Sequence, residues 1–291
     1  MPDLQSVWFA TASLQFVNNI VLTNPNPFAD EGFEVSAMDP GVGDRVVKAL
    51  MDQRVEYCNV LGMPLIRAAS GYPLKFVASF QNSGWELWTR PEITALKQLE
   101  GKTIGRTSPY PRERLNSALA AAGVDPDSVS EGPFIPLDAA GINSVVEGVV
   151  DGALIMAPVS SIAREAGLVS PYNLNLAGHS AAYGLMTTEQ MLAENRDQVK
   201  RFLRATLRSS RELQTDRDLA YQLVARQGVA ERFIDQALDS TLPYLNPTGE
   251  LSETTQHRWI ETAKTILGLD EKIPLQRVFD FSILAELAAE D

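Results

Sequence analysis

Histidine and cysteine are nearly absent from this chain: it has two histidines, His179 and His257, and one cysteine, Cys58, in 291 residues. One cysteine excludes an internal disulfide, and no pair of histidines has metal-ligand spacing, so neither a metal nor another cofactor is expected. No apolar run reaches the roughly 20 residues that cross a bilayer. Positive charge is scarce, with 25 Lys and Arg against 37 Asp and Glu and a net charge of −12. That balance argues against nucleic acid or an anionic membrane surface as partner. Walker, dinucleotide and Gly-x-Ser-x-Gly patterns are missing, and no low-complexity tract or long linker interrupts the chain. The start, Met1-Pro-Asp-Leu4, shows no basic n-region, apolar h-region or cleavage site. Either the protein is cytoplasmic with Met1 as its native start, or it is extracytoplasmic and a signal was removed.

What the chain does have is a 45% hydrophobic composition, enough for a large core shared by two lobes. Short apolar strands alternate with short helices as far as Thr188, which implies helix-covered parallel sheets. Expected strands include Val7–Ala10, a strand that follows a turn within Phe28–Met38 with Gly32 as its hinge, Val55–Leu61, Leu74–Phe80, Trp85–Thr89 and Asp151–Met156. Beyond Thr188 only helices are expected, at 189–214, 219–227, 231–240 and 253–267, with a tail from Ile273 to Glu290 docking on the first lobe.

The stretch from Gly101 to Leu115 organises this pattern. It reads as a strand (Thr103–Arg106) feeding abruptly into a helix, with Ser108 as N-cap, Pro109 at the first helical position and Gly123 as the stop. Such a helix start points backbone N–H groups and a positive dipole end into the space above the sheet. Arg106, Arg112 and Arg114 crowd the same end, so a small anion is the expected guest. Arg106 and Arg112 are the candidates for direct charge pairing, because arginine's planar fork orients a carboxylate or sulfonate. An internal repeat supports two similar lobes: Leu50-Met-Asp-x-x-Val-Glu56 matches Val145-Val-Glu-x-x-Val-Asp151.

Phe28-x-x-Glu-Gly-x-x-Val35, Val55-Glu-Tyr-Cys-Asn-Val60, Gly71-x-Pro-Leu-Lys-Phe-Val-Ala-Ser79, Leu99-x-Gly-Lys-Thr-Ile-Gly105, Val150-Asp-Gly-Ala-Leu-Ile155 with Ala163-x-x-Ala-Gly167, and Pro274-Leu-x-x-Val-x-Asp280 follow one another along almost the whole chain. In this order they resemble the type II periplasmic solute-binding proteins, in the branch of nitrate-, sulfonate- and taurine-binding proteins and thiamine-pyrimidine synthases. The cysteine-rich motif of the synthases is missing. The resemblance implies an α/β, two-lobed periplasmic-binding-protein-like type II fold with two crossover strands (84–90 and 182–187) and C-terminal helices packed on lobe one. Lobe one would comprise residues 1–87 and 185–291, and lobe two residues 88–184.

By position, the resemblance implies an interlobe cleft lined by Thr11, Ala12, Ser13, Gly41, Leu61 and Gly62 from the first lobe. The second lobe would add Thr107, Ser108, Asp138, Ala157 and Pro158, with Trp85 and Tyr110 stacking on an organic body. The function implied is a monomeric binding protein that captures a small organic anion, a carboxylate or sulfonate and in some cases aromatic, for the membrane permease of an ABC importer. The alternative is a cytosolic, cofactor-free decarboxylase or desulfinase of an aromatic acid on the same scaffold. Cys58 and His179 would then be the catalytic candidates. Against that, Cys58 falls inside an expected strand, where a thiol is normally a small inert hydrophobe.

Overall fold

The computed structural model describes residues 4–59, 62–82, 84–107, 111–174 and 183–290. In chain order the elements are β1 (Gln5–Ala10), α1 (Ile20–Thr23), α2 (Pro25–Asp30), β2 (Phe33–Met38), α3 (Asp44–Met51), β3 (Tyr57–Cys58), α4 (Gly62–Ala69) and β4 (Leu74–Gln81). There follow β5 (Glu86–Thr89), β6 (Thr103–Arg106), α5 (Pro111–Ala121), β7 (Ser130–Phe134), α6 (Ala139–Val146), β8 (Gly152–Ile155) and α7 (Val159–Glu165). Then come β9 (Tyr183–Thr188), α8 (Glu189–Glu194), α9 (Arg196–Thr215), α10 (Arg217–Arg226), α11 (Glu231–Asp239), α12 (Glu253–Leu267) and α13 (Ser282–Ala288). Among the described residues no helix is long and apolar enough to cross a membrane.

These elements form two units. The first takes the described residues through Asn82, then 183–228 and 242–290; the second takes 84–174 and 229–241. Unit 1 is a five-stranded sheet in the order β2-β1-β3-β9-β4. Its first three strands are parallel, and β9 runs antiparallel to both of its neighbours. An aromatic cluster anchors it: Tyr57 of β3 stacks on Phe202 of α9 at 4.1 Å between centroids, and Phe28 and Phe33 close around the same ring. The tail docks as expected. Phe279 and Phe281 pack edge-on against Phe76 of β4. Glu286 of α13 and Glu290 just beyond it pair with Arg196, Lys200 and Arg204 of α9.

Unit 2 is a four-stranded sheet, β5-β8-β6-β7, with only the β5 edge antiparallel. One face packs on α5 through Leu87, Ile104, Leu115 and Leu119, and the other packs on α6 and α7 through Trp88, Val145, Ile155 and Ala163. Gly123, at φ +71°, ends the turn after α5. The expected N-cap Ser108 lies outside the described residues.

The repeat is a shared piece of backbone architecture. After α3, Gln53 takes a left-handed φ of +55°, and after α6 the corresponding Gly148 takes +76°. In both turns the next N–H reaches back to a carbonyl five residues earlier, Arg54 to Ala49 at 2.9 Å and Val149 to Ser144 at 2.9 Å. That geometry satisfies the carbonyls a helix leaves open at its C-terminus. The acid that closes each repeat then clamps the neighbouring strand. Glu56 N donates to Trp8 O while its carboxylate accepts from Trp8 N at 2.7 Å. Asp151 N donates to Thr103 O while its carboxylate accepts from Thr103 N at 2.9 Å.

Four expectations need correction. Phe28–Asp30 is helical, not the expected turn, because Pro25 can start a helix without losing an N–H and Phe28 is drawn against Phe202. The helix expected over 189–214 is two, α8 and α9, broken at Asn195, whose ψ of +36° is not helical. Residues 229–241, with α11, belong to unit 2 and not to the C-terminal part of unit 1. There α11 contacts α7 and pairs Arg232 with Glu165 at 2.7 Å. Finally, Cys58 is the last residue of a two-residue strand, not an interior one; Asn59 N still donates to Ala10 O at 3.1 Å, and the Asn59 side chain enters the polar network described next.

Candidate functional site

In sheets of this kind ligands meet the protein beyond the carboxyl ends of the parallel strands, where backbone N–H groups and loop side chains converge. In unit 1 that edge follows β1, β2 and β3. Thr11, fully buried, donates through Oγ1 to Ser13 O at 3.2 Å and Asn19 Oδ1 at 3.1 Å. Asn19 Nδ2 returns a bond to Ser13 O at 2.8 Å, and Asn59 Nδ2 donates to Asn19 Oδ1 at 2.6 Å. The result is a buried amide–hydroxyl network that fixes the loop carrying Ala12 and Ser13, both half-buried. Asn59 Oδ1 and both amide atoms of the neighbouring Asn18 are buried without a hydrogen-bond partner among the described residues.

Gly41 follows β2 at φ +92°, and its N–H is taken by Asp39 Oδ1 at 2.7 Å. A Cβ at that position would meet the Arg45 side chain at 3.0 Å. Gly62 is the first residue of α4, and Leu61 lies outside the described residues. Cys58 is fully buried at the end of β3.

In unit 2 the edge follows β6, β7 and β8. Arg106 ends β6 exposed; its backbone O accepts from Ile135 N at 2.8 Å, and its guanidinium has no hydrogen bond or ion pair among the described residues. Thr107 is buried, with Oγ1 donating to Leu154 O at 2.6 Å. Arg112 is turned inward: its Nη2 donates to Pro126 O at 3.1 Å and Val129 O at 2.6 Å, and burial pulls its pKa down. Arg114 is buried deeper, its pKa pushed down to about 10 by burial. Asp138 caps α6, accepting from Ala140 N at 2.8 Å and Gly141 N at 3.2 Å. Ala157 and Pro158, joined by a cis peptide, make the turn from β8 to α7. Trp85 lies half-buried against the α5 face. Ser108, Tyr110 and His179 lie outside the described residues.

So the structure groups Thr11, Ala12, Ser13 and Gly41 at one strand-end edge, and Arg106, Thr107, Asp138, Ala157 and Pro158 at the other. Sequence reasoning missed Asn19 and Asn59. Only the Asn18-Asn19 pair, embedded in the apolar run from Phe16 to Leu22, could have signalled them. It also missed Glu86, which opens β5 opposite Ile155, the last residue of β8. Burial pushes the Glu86 carboxyl up from its ordinary range; the Trp88 indole (Nε1 to Oε2, 3.0 Å), the Ser160 and Ser240 hydroxyls and Arg164 pull it back.

Among the described residues no group of three or more His, Cys, Asp or Glu side chains could hold a metal ion. A cavity of about 390 Å³ opens at the opposite end of the unit 1 strands, where Gln5, Gln53, Glu56, Gln190 and Glu194 are among its walls. Among the described residues no lysine or arginine lines it, so it is a poor receptor for an anion.

A family model described as "NMT1/THI5 like" matches residues 21–218. No curated protein matches the sequence. The fold is similar to that of a putative periplasmic sulfonate-binding protein, SsuA, of Methylobacillus flagellatus KT. The TM-score is 0.77 at 15% identity, over 100% of this chain and 96% of that one. The periplasmic aliphatic sulphonate binding protein SsuA of Escherichia coli gives 0.73 at 15% identity, over 95% and 92%. The desulfurization enzyme DSZB gives 0.65 at 14% identity, over 99% and 100%.

Proposed function

The chain belongs to the NMT1/THI5-like family, and from that premise we propose that it is a solute-binding protein for a small organic anion, a carboxylate or sulfonate. Arg106 carries the reading: it is an exposed guanidinium with no partner among the described residues, at a strand-end edge, in a chain of net charge −12. A fork of fixed N–H donors at that place pairs with a carboxylate or sulfonate and orients it. Thr107, Ala157 and Pro158 shape the edge around it, and Arg112 braces the α5 turn from behind. The sulfonate-binding proteins that share the fold support the same ligand class. Their association with ABC transport supports delivery to the permease of an importer, outside the cytoplasm.

The enzymatic alternative rests on likeness to the desulfurization enzyme, a likeness of fold. The full burial of Cys58 works against it, since a reactive thiolate needs access to its substrate.

A thermal-shift panel of carboxylates and sulfonates tests the proposal. A true ligand at about a hundred times its dissociation constant should stabilise the protein by about 2.7 kcal/mol. Arg106→Gln should remove most of that shift and leave the unliganded midpoint in place. A full shift retained by Arg106→Gln would move the site elsewhere.

A further inference from the structure

Resting on the reading just given, we infer that the ligand is an aromatic anion, its charge held by Arg106 and its ring by Phe134. The two residues are register partners on the parallel strands β6 and β7. Ile135 N donates to Arg106 O at 2.8 Å and fixes that register beyond the irregularity between Ile104 and Arg106.

Two separate observations put both side chains on one face of the sheet. Arg106 lies two residues beyond Ile104, whose side chain belongs to the α5-side core, so it leaves β6 on that side. Phe134 precedes Ile135, which is buried in the core on the α6 and α7 side, so it leaves β7 on the opposite, α5 side.

Phe134 belongs to neither core and stays 55% exposed, at the end of a strand and in register with a guanidinium that has no partner among the described residues. A single exposed ring is common on a protein surface; what sets Phe134 apart is its place on the same face and in register with Arg106 at the strand-end edge. A guanidinium and a phenyl ring side by side match the two ends of an aryl sulfonate or aryl carboxylate. The fork takes the oxygens, and the ring packs offset or edge-on against the ligand ring. A short alkyl anion would satisfy the arginine and leave Phe134 in solvent.

The test compares benzenesulfonate with ethanesulfonate, and benzoate with propionate, by isothermal titration on the full chain. The wild type should prefer the aryl member of each pair, and Phe134→Ala should weaken aryl binding by about 2- to 10-fold with alkyl binding unchanged. Arg106→Gln should weaken both classes. An aryl-to-alkyl ratio unmoved by Phe134→Ala would overturn the aromatic assignment while leaving the anion reading intact. A panel in which no organic anion binds the wild type would overturn both.

Discussion

Gln53 sits where the backbone calls for glycine. It is the one non-glycine among the described residues at positive φ, and the equivalent position in the second half of the repeat is Gly148. A side chain in the left-handed region costs about 1 kcal/mol through crowding of Cβ against the next carbonyl. Gln53→Gly should therefore raise stability by about 0.5–1 kcal/mol, discounted for the extra freedom glycine gives the unfolded chain. Urea denaturation measures it, and a lower midpoint would show that the exposed Gln53–Gln190 hydrogen bond, 2.9 Å long, outweighs the relief. The repeat was legible at this scale because its elements are local: an apolar pair, a turn residue and an acid within seven positions. The Thr11–Asn19–Asn59 network was not, since Asn59 is 40 residues from the partner that fixes it. No spacing rule connects a polar residue to a contact that only the folded sheet creates.

At the scale of elements, strands and helices with clean periodicity were readable, and their interruptions were not. Nothing in the run after Thr188 marks Asn195 as a break, yet α9 starts afresh beyond it and carries the arginines that hold α13. β5 holds a comparable surprise in Glu86. Because burial raises its folded-state pKa, the folded protein binds a proton more tightly than the unfolded chain does. Stability should then fall as the pH climbs above the ordinary glutamate value of 4.5 and level off past the raised folded value. Glu86→Gln removes the charge and keeps an acceptor for the Trp88 indole. It should flatten that limb of the stability–pH curve and leave the variant more stable than wild type at neutral pH. Parallel curves for the two proteins would mean that Arg164 keeps the carboxylate ionised at no cost.

For the whole molecule, α/β architecture and the family's fold could be read from ordered short motifs, whereas the placement of α11 could not. Its sequence is simply one more amphipathic helix among several. In the structure it puts Phe233, Ile234, Ala237 and Leu238 into the buried interior. Ile234→Ala should therefore cost about 2–5 kcal/mol, as buried large-to-small substitutions do. Hydrogen exchange should assign that loss to unit 2, through faster exchange in α7 and β5 with α9 unaffected. Loosening of α9 instead would show that α11 supports unit 1.

The chain leaves unit 1 after Asn82, returns by Tyr183, leaves again after Gly228 and returns at Leu242. Neither unit is therefore a contiguous stretch of polypeptide. On the ribosome the second unit waits for its last helix until residue 241 has emerged, with the α7 face that receives α11 uncovered until then. The first unit waits longer still, for α13 to reach α9. Vectorial synthesis thus leaves a nascent chain with two unfinished cores at once, the circumstance in which holding chaperones matter most.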